Sequence, residues 1–93
     1  MGVVNYEQLV SELIKPLTTH PEEVKVEKLS EKDDVVSLKV SVHPDDLGRV
    51  IGKKGRVANA IRTLAYVAAA REKKHLEIDF ETNHKQNNEI KSL

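Results

Sequence analysis

Tyr6, Leu9, Val10, Leu13, Ile14 and Leu17 recur at intervals of three and four, which stacks them along one face of a helix. Asn5 is placed to cap that helix, with Gln8 three positions on, a variant of the reciprocal capping pattern. Pro16 marks where its backbone ladder ends or bends, and Thr18 to Pro21 reads as a turn. From Val24 the period falls to two. Val24 and Val26 alternate with Lys25 and Glu27, and after a charged turn at Glu31, Lys32, Asp33 and Asp34 the alternation resumes more strongly. Val36, Leu38, Val40 and Val42 point one way and Ser37, Lys39, Ser41 and His43 the other, the pattern of a strand with one face on a core and one in water. The short turn makes the two strands an antiparallel hairpin.

Pro44, Asp45 and Asp46 open a short helix, because proline is tolerated in the first turn and carboxylates suit the positive end of the helix dipole. It runs to about Ile51, is interrupted by Gly52, Lys53, Lys54 and Gly55, and gives way to a longer helix from Arg56 to about Lys73. On that helix Val57, Ile61, Leu64 and Ala68 are assigned to the core face. Leu76, Ile78 and Phe80, alternating with Glu77 and Asp79, form a third strand. The expected fold is α+β in the order α-β-β-α-α-β, a three-stranded sheet with helices packed on one face. It occupies residues 1–81 as one domain, and the polar, aperiodic residues 82–93 are expected to form a disordered tail.

A chain of 93 residues has room for one small core, and the absence of cysteine removes disulfides and thiolate metal sites. The amino terminus has neither a basic start nor an apolar run, so a cytoplasmic protein without a membrane partner is expected. The 15 basic and 15 acidic residues cancel, yet they are unevenly spread. Arg49, Lys53, Lys54, Arg56 and Arg62 lie in a window from Gly48 to Arg62 that holds no acidic residue. Glycines at both ends of the Gly52–Gly55 turn permit backbone conformations closed to other residues and a close approach by a ligand. The helix start that follows presents amides and a positive dipole end suited to a phosphodiester.

Val-Ile-Gly-Lys-Lys-Gly between two helices, after a hairpin and before a last strand, resembles the GxxG signature of KH domains. The order of elements is similar to the type II, bacterial arrangement, and the small size is similar to the stand-alone proteins of the KhpA family. The resemblance spans roughly Tyr6 to Phe80. It implies single-stranded RNA as the partner, held by its backbone along Gly52, Lys53, Lys54 and Gly55, with Arg49 and Arg56 flanking the phosphates. Val50, Ile51 and Val57 would line an apolar groove for bases. KH sequences commonly carry a branched apolar residue three positions after the second glycine, where this chain has Ala58, with Val57 one place earlier. The resemblance further implies a role in post-transcriptional regulation or as an RNA chaperone.

Arg62, Thr63, Tyr66, Ala69 and Ala70 fall on the side of the long helix opposite its assigned core face, a small and weakly polar surface suited to a partner helix. The family implies a homodimer or pairing with a second KH-containing protein. The rival reading makes the chain a protein-interaction scaffold with little RNA binding of its own, its glycine turn only a tight corner. His20, His43, His75 and His84 are scattered along the sequence without metal-ligand spacing, so neither a metal nor a cofactor is expected. Without a nucleophile, a base and an oxyanion site held together, an enzyme with a small-molecule substrate has no foundation, and no catalytic residue is assigned.

Overall fold

The computed structural model describes residues 5–82. Its elements are α1 (Tyr6–Ile14), β1 (Lys25–Lys32), β2 (Val35–Val42), α2 (Pro44–Ile51), α3 (Arg56–Arg71) and β3 (His75–Thr82), with 3-10 turns at Lys15–Leu17, Pro21–Glu23 and Lys53–Gly55. This is the expected α-β-β-α-α-β order. The sheet runs β1-β2-β3, with β1 antiparallel and β3 parallel to β2. A parallel neighbour demands a crossover, and α2 and α3 supply it. Central β2 carries Val36, Leu38, Val40 and Val42 into the core, where they meet Val10 and Ile14 of α1, Val50 of α2 and Leu76 and Ile78 of β3. On the other face Lys39 reaches Glu27 at 3.6 Å and Glu81 at 3.3 Å, bridging all three strands.

Local signals account for most boundaries. The Asn5 side chain accepts from the Gln8 amide at 2.9 Å, as expected of the cap. The α-helix stops at Ile14 rather than Leu17, because Pro16 has no amide to donate, and the chain tightens into a 3-10 turn that leaves Leu17 exposed. β1 is longer than its alternation, since pairing with β2 carries it to Lys32. A register shift between Lys28 and Ser30 places Leu29 in a bulge, where it is exposed. The hairpin turn narrows to Asp33 and Asp34, both in the left-handed region with φ of 55° and 66°, as a two-residue connection between twisted strands requires. At the other end Thr82 belongs to β3 and not to a tail; the rest of the expected tail lies outside the described residues.

The face of α3 is the main correction. Ala58, Ile61, Ala65 and Ala69 are buried, whereas Leu64, assigned to the core, is 56% exposed. Ala69, assigned to a partner surface, has no exposure at all. Small side chains let α3 lie close to its neighbours, so alanines fill the contact and the larger Leu64 and Val67 turn outward. Arg62 is also lost to the partner surface. Its Nε and Nη2 donate to the Ile78 carbonyl at 3.2 and 3.0 Å, and its guanidinium lies 5.1 Å from the centre of the Phe80 ring.

Two polar ties close the helical layer. The Tyr6 hydroxyl donates to Glu72, joining α1 to the end of α3; burial and this carboxylate push the phenol up to about 12. Asp46, in the first turn of α2, is completely buried. Its Oδ1 accepts from the Thr19 amide at 2.9 Å and the Thr19 hydroxyl at 2.8 Å, and its Oδ2 from the His20 amide at 2.9 Å. Burial alone would raise this carboxyl, but the Thr19 and His20 donors outweigh it and hold the group below the usual carboxylate range. A carboxyl lowered by folding contributes stability above its unfolded pKa of about 3.9, and that contribution is lost as pH falls through the lower folded value. Asp46→Asn should therefore melt several degrees below the parent at pH 7, with the gap narrowing below pH of about 4, as followed by circular dichroism melts across the acid range.

Candidate nucleic-acid interface

The end of α2 and the start of α3 are joined by a turn whose backbone only particular residues can follow. Gly52 closes α2 with its amide on the Gly48 carbonyl at 2.8 Å and has φ of 79°. A side chain there would meet Val57, since a Cβ built on Gly52 lies 2.4 Å from Val57 Cγ2 and 2.8 Å from the Val57 amide nitrogen. Gly52 is thus demanded both by its dihedral and by the close approach of α3. Gly55, with φ of 75°, would bring a Cβ only to ordinary contact with Asn59 Nδ2 at 4.0 Å, and its dihedral alone calls for glycine. Between them Lys54 also adopts the left-handed conformation, at φ 57° and ψ 26°.

This geometry decides what the turn offers. The Gly55 amide donates to the Gly52 carbonyl at 3.1 Å, and the Arg56 amide donates to the Lys53 carbonyl. The amides of Gly52, Gly55 and Arg56 are therefore spent within the turn, and the helix start is less open than the sequence suggested. The exposed cationic side chains of the turn are the donors it offers to an anion. Lys53, Lys54 and Arg56 are all exposed, and none forms an ion pair among the described residues. Arg49 is exposed too, but its Nε sits 3.5 Å from Asp46 Oδ1, which partly commits it to the fold.

The apolar residues divide. Val50 is fully buried in the core and cannot line a groove, because the face of α2 that carries it points at the sheet. Ile51 and Val57 are half-buried against the core and flank the turn on its two sides, so they form the available apolar wall. Ala58 is buried, and Val57 takes the position beside Gly52, so this chain places its branched residue one step earlier without opening the core.

Of the expected partner surface, Thr63, Tyr66 and Ala70 are exposed on α3, and Ala69 and Arg62 are withdrawn from it as described. Tyr66 lies over His75 with ring centres 6.0 Å apart. The residues sequence reasoning missed are Leu64 and Val67, 56% and 59% exposed, which with Ala60 and Ala70 make an apolar strip along the outer face of α3. Their three- and four-residue spacing was visible in the sequence, but it was shared with the buried alanines. No helix among the described residues is long and apolar enough to cross a membrane.

Comparison with known proteins is consistent with this architecture. A chain named RNA-binding protein KhpA from Halalkalibacterium halodurans is 47% identical over 73 residues, covering 76% of this chain and 92% of that one. Proteins of the same name from Listeria monocytogenes and Bacillus subtilis are 42% and 38% identical, each aligned over 78% of this chain and over 95% and 89% of their own lengths. Among solved structures, a tyrosine-to-alanine variant of Era from Aquifex aeolicus, bound to GDP.AlF4−, superposes with a TM-score of 0.62 at 21% identity, over 83% of this chain and 30% of that one. Era in complex with MgGDPNP and a segment of 16S ribosomal RNA superposes with a TM-score of 0.55 at 21% identity, again over 30% of its length. These two likenesses concern the fold alone. Residues 7–80 match the KH domain of KhpA and KhpB, which is not an enzyme family, and the chain belongs to that family.

Proposed function

We infer that this chain binds single-stranded RNA by its sugar-phosphate backbone across the Gly52–Gly55 turn, and that it does so as a dimer. The observation that carries the reading is the turn itself. Two adjacent lysines project from a bend whose glycines adopt positive φ, beside a partly exposed apolar wall of Ile51 and Val57. The names of the relatives, RNA-binding protein KhpA, support it. Lysine attracts phosphates without demanding one geometry, and among the described residues neither the turn nor its flanking positions carry a Phe, Tyr or Trp to stack a base. The grip is accordingly tolerant of sequence, which suits an RNA chaperone or a post-transcriptional regulator more than a reader of one motif. Contacts to about three phosphates give a salt slope of only about −2, so one domain alone binds modestly.

The outer strip of α3 supplies the remedy. Leu64, Val67, Thr63, Tyr66 and Ala70 present an apolar surface that costs solubility unless covered, and a second copy of the chain would bring two weak sites together and multiply their avidity. The competing scaffold reading rests on this same strip and requires the turn to be inert. The two part at the lysines.

Lys53→Asp with Lys54→Asp should abolish the gel shift of mixed-sequence single-stranded RNA at low salt while leaving the circular dichroism spectrum unchanged. Retained affinity in that double variant would remove the turn from the binding site. Leu64→Glu with Val67→Glu, at solvent-facing positions, is expected to convert a dimer mass in light scattering to a monomer mass. The same change should weaken RNA binding by at least about tenfold through loss of avidity; a parent chain that is already monomeric at high concentration would refute the dimer.

A further inference from the structure

His20 and His43 are far apart in sequence, yet the fold sets them face to face with ring centres 3.9 Å apart and a tilt of 23°. We propose that His20, His43 and Asp45 form a binding site for a divalent transition-metal ion of the zinc class. His20 arrives from the connection between α1 and β1, fixed by its own amide on the buried Asp46 carboxylate. His43 caps α2, its Nδ1 accepting from the Asp45 amide at 3.0 Å. Asp45 Oδ2 stands 3.7 Å from His20 Nε2 and 3.6 Å from His43 Nδ1. One donor atom from each of the three residues lies within 4.8 Å of the other two. Four-coordinate zinc with bonds of about 2.1 Å separates its ligands by about 3.4 Å, so two of the three edges are already near the required length.

The chemistry of the donors selects the metal. Two imidazoles and one carboxylate suit zinc, nickel or copper, whereas calcium and magnesium prefer oxygen alone. Behind His20, Glu22 Oε2 lies 3.7 Å from Nδ1, the place of the outer carboxylate that orients a metal-bound imidazole. Both rings are half-buried and Asp45 is exposed, so the cluster is supported from beneath and open to solvent above. Histidine is moreover an uncommon choice for a helix cap, where Ser, Thr, Asp or Asn does the work of accepting an amide. Binding carries a cost. The stacked rings must splay until their lone pairs converge, and His43 Nδ1 must exchange the Asp45 amide for the ion, so the affinity is moderate and protons compete with the metal. An ion here would join the connection before β1 to the start of α2, the two segments that Asp46 joins from the buried side.

The test uses the full chain without a histidine tag, stripped of metal by a chelator. Addition of Zn2+ should raise the melting temperature, and Co2+ should bind at one equivalent per chain with the strong visible absorption of a four-coordinate ion. His20→Gln and His43→Asn, the latter keeping a side chain able to cap α2, should each weaken the response at least about tenfold, and His75→Gln should leave it intact. Absence of any Zn2+-dependent rise in the parent overturns the site. So does a rise that survives in both the His20 and His43 variants. The Lys53→Asp, Lys54→Asp variant should keep the full response, because the site does not depend on the glycine turn.

Discussion

A carboxylate with no solvent exposure sits in the first turn of a helix only eight residues long, and the position of the candidate interface depends on it. Burying an ionised group is costly unless its lone pairs are met. Asp46 meets them with two backbone amides and a hydroxyl from the segment before β1, so the chain ahead of the sheet and the helix behind it are tied at one point. A helix this short has little stability of its own. Its direction is set by that tie at one end and by the contact of Gly52 with Val57 at the other. The bend that carries Lys53 and Lys54 is thereby aimed by a carboxylate about two helical turns away.

The same bend shows how a fold divides its polar groups between structure and recognition. Amides of Gly52, Gly55 and Arg56 are consumed in making the turn, and Arg49 leans toward Asp46. What faces solvent without an ion pair among the described residues is a compact set of cations, Lys53, Lys54 and Arg56, on a bend held by two glycines at positive φ. Acidic residues are placed elsewhere, and several of them pair with lysines across the sheet and its edges: Glu31 with Lys28 and Lys74, Glu27 and Glu81 with Lys39. The hydrogen bonds from Lys74 and Lys28 hold the Glu31 carboxyl down to about 2, so it stays an anion over the whole neutral range. The net charge of zero thus conceals an uneven distribution, a bare cationic corner balanced by an excess of acidic residues over the rest of the chain.

Helix α3 serves two surfaces with one periodicity. Its buried line of Ala58, Ile61, Ala65 and Ala69 and its exposed line of Leu64 and Val67 are both repeats of three and four, offset around the helix axis. Hydrophobicity favours Leu64 for the core, but closeness of approach favours alanine there, and closeness wins because α3 must cover both α1 and β3. The large apolar side chains Leu64 and Val67 therefore remain outside, exposed on the outer face of α3.

Periods of 3.6 and 2, the Asn5 cap, Pro16, Pro44 and the paired glycines were sufficient to anticipate the three α-helices and three strands of the described residues and the turn between α2 and α3, though not the 3-10 turns or the full reach of β1. Each element so anticipated is governed by dihedrals and hydrogen bonds within a few residues. Gly52 and Gly55 were legible as necessary for the same reason. The order of the strands, the burial of Val50, the withdrawal of Arg62 and Ala69, and the meeting of His20 with His43 were not. Each depends on which surfaces come into contact over long separations, a matter of distance between elements that no local pattern encodes. Only the folded chain determines whether a leucine or an alanine is nearer the sheet, and whether two histidines more than twenty residues apart share one site.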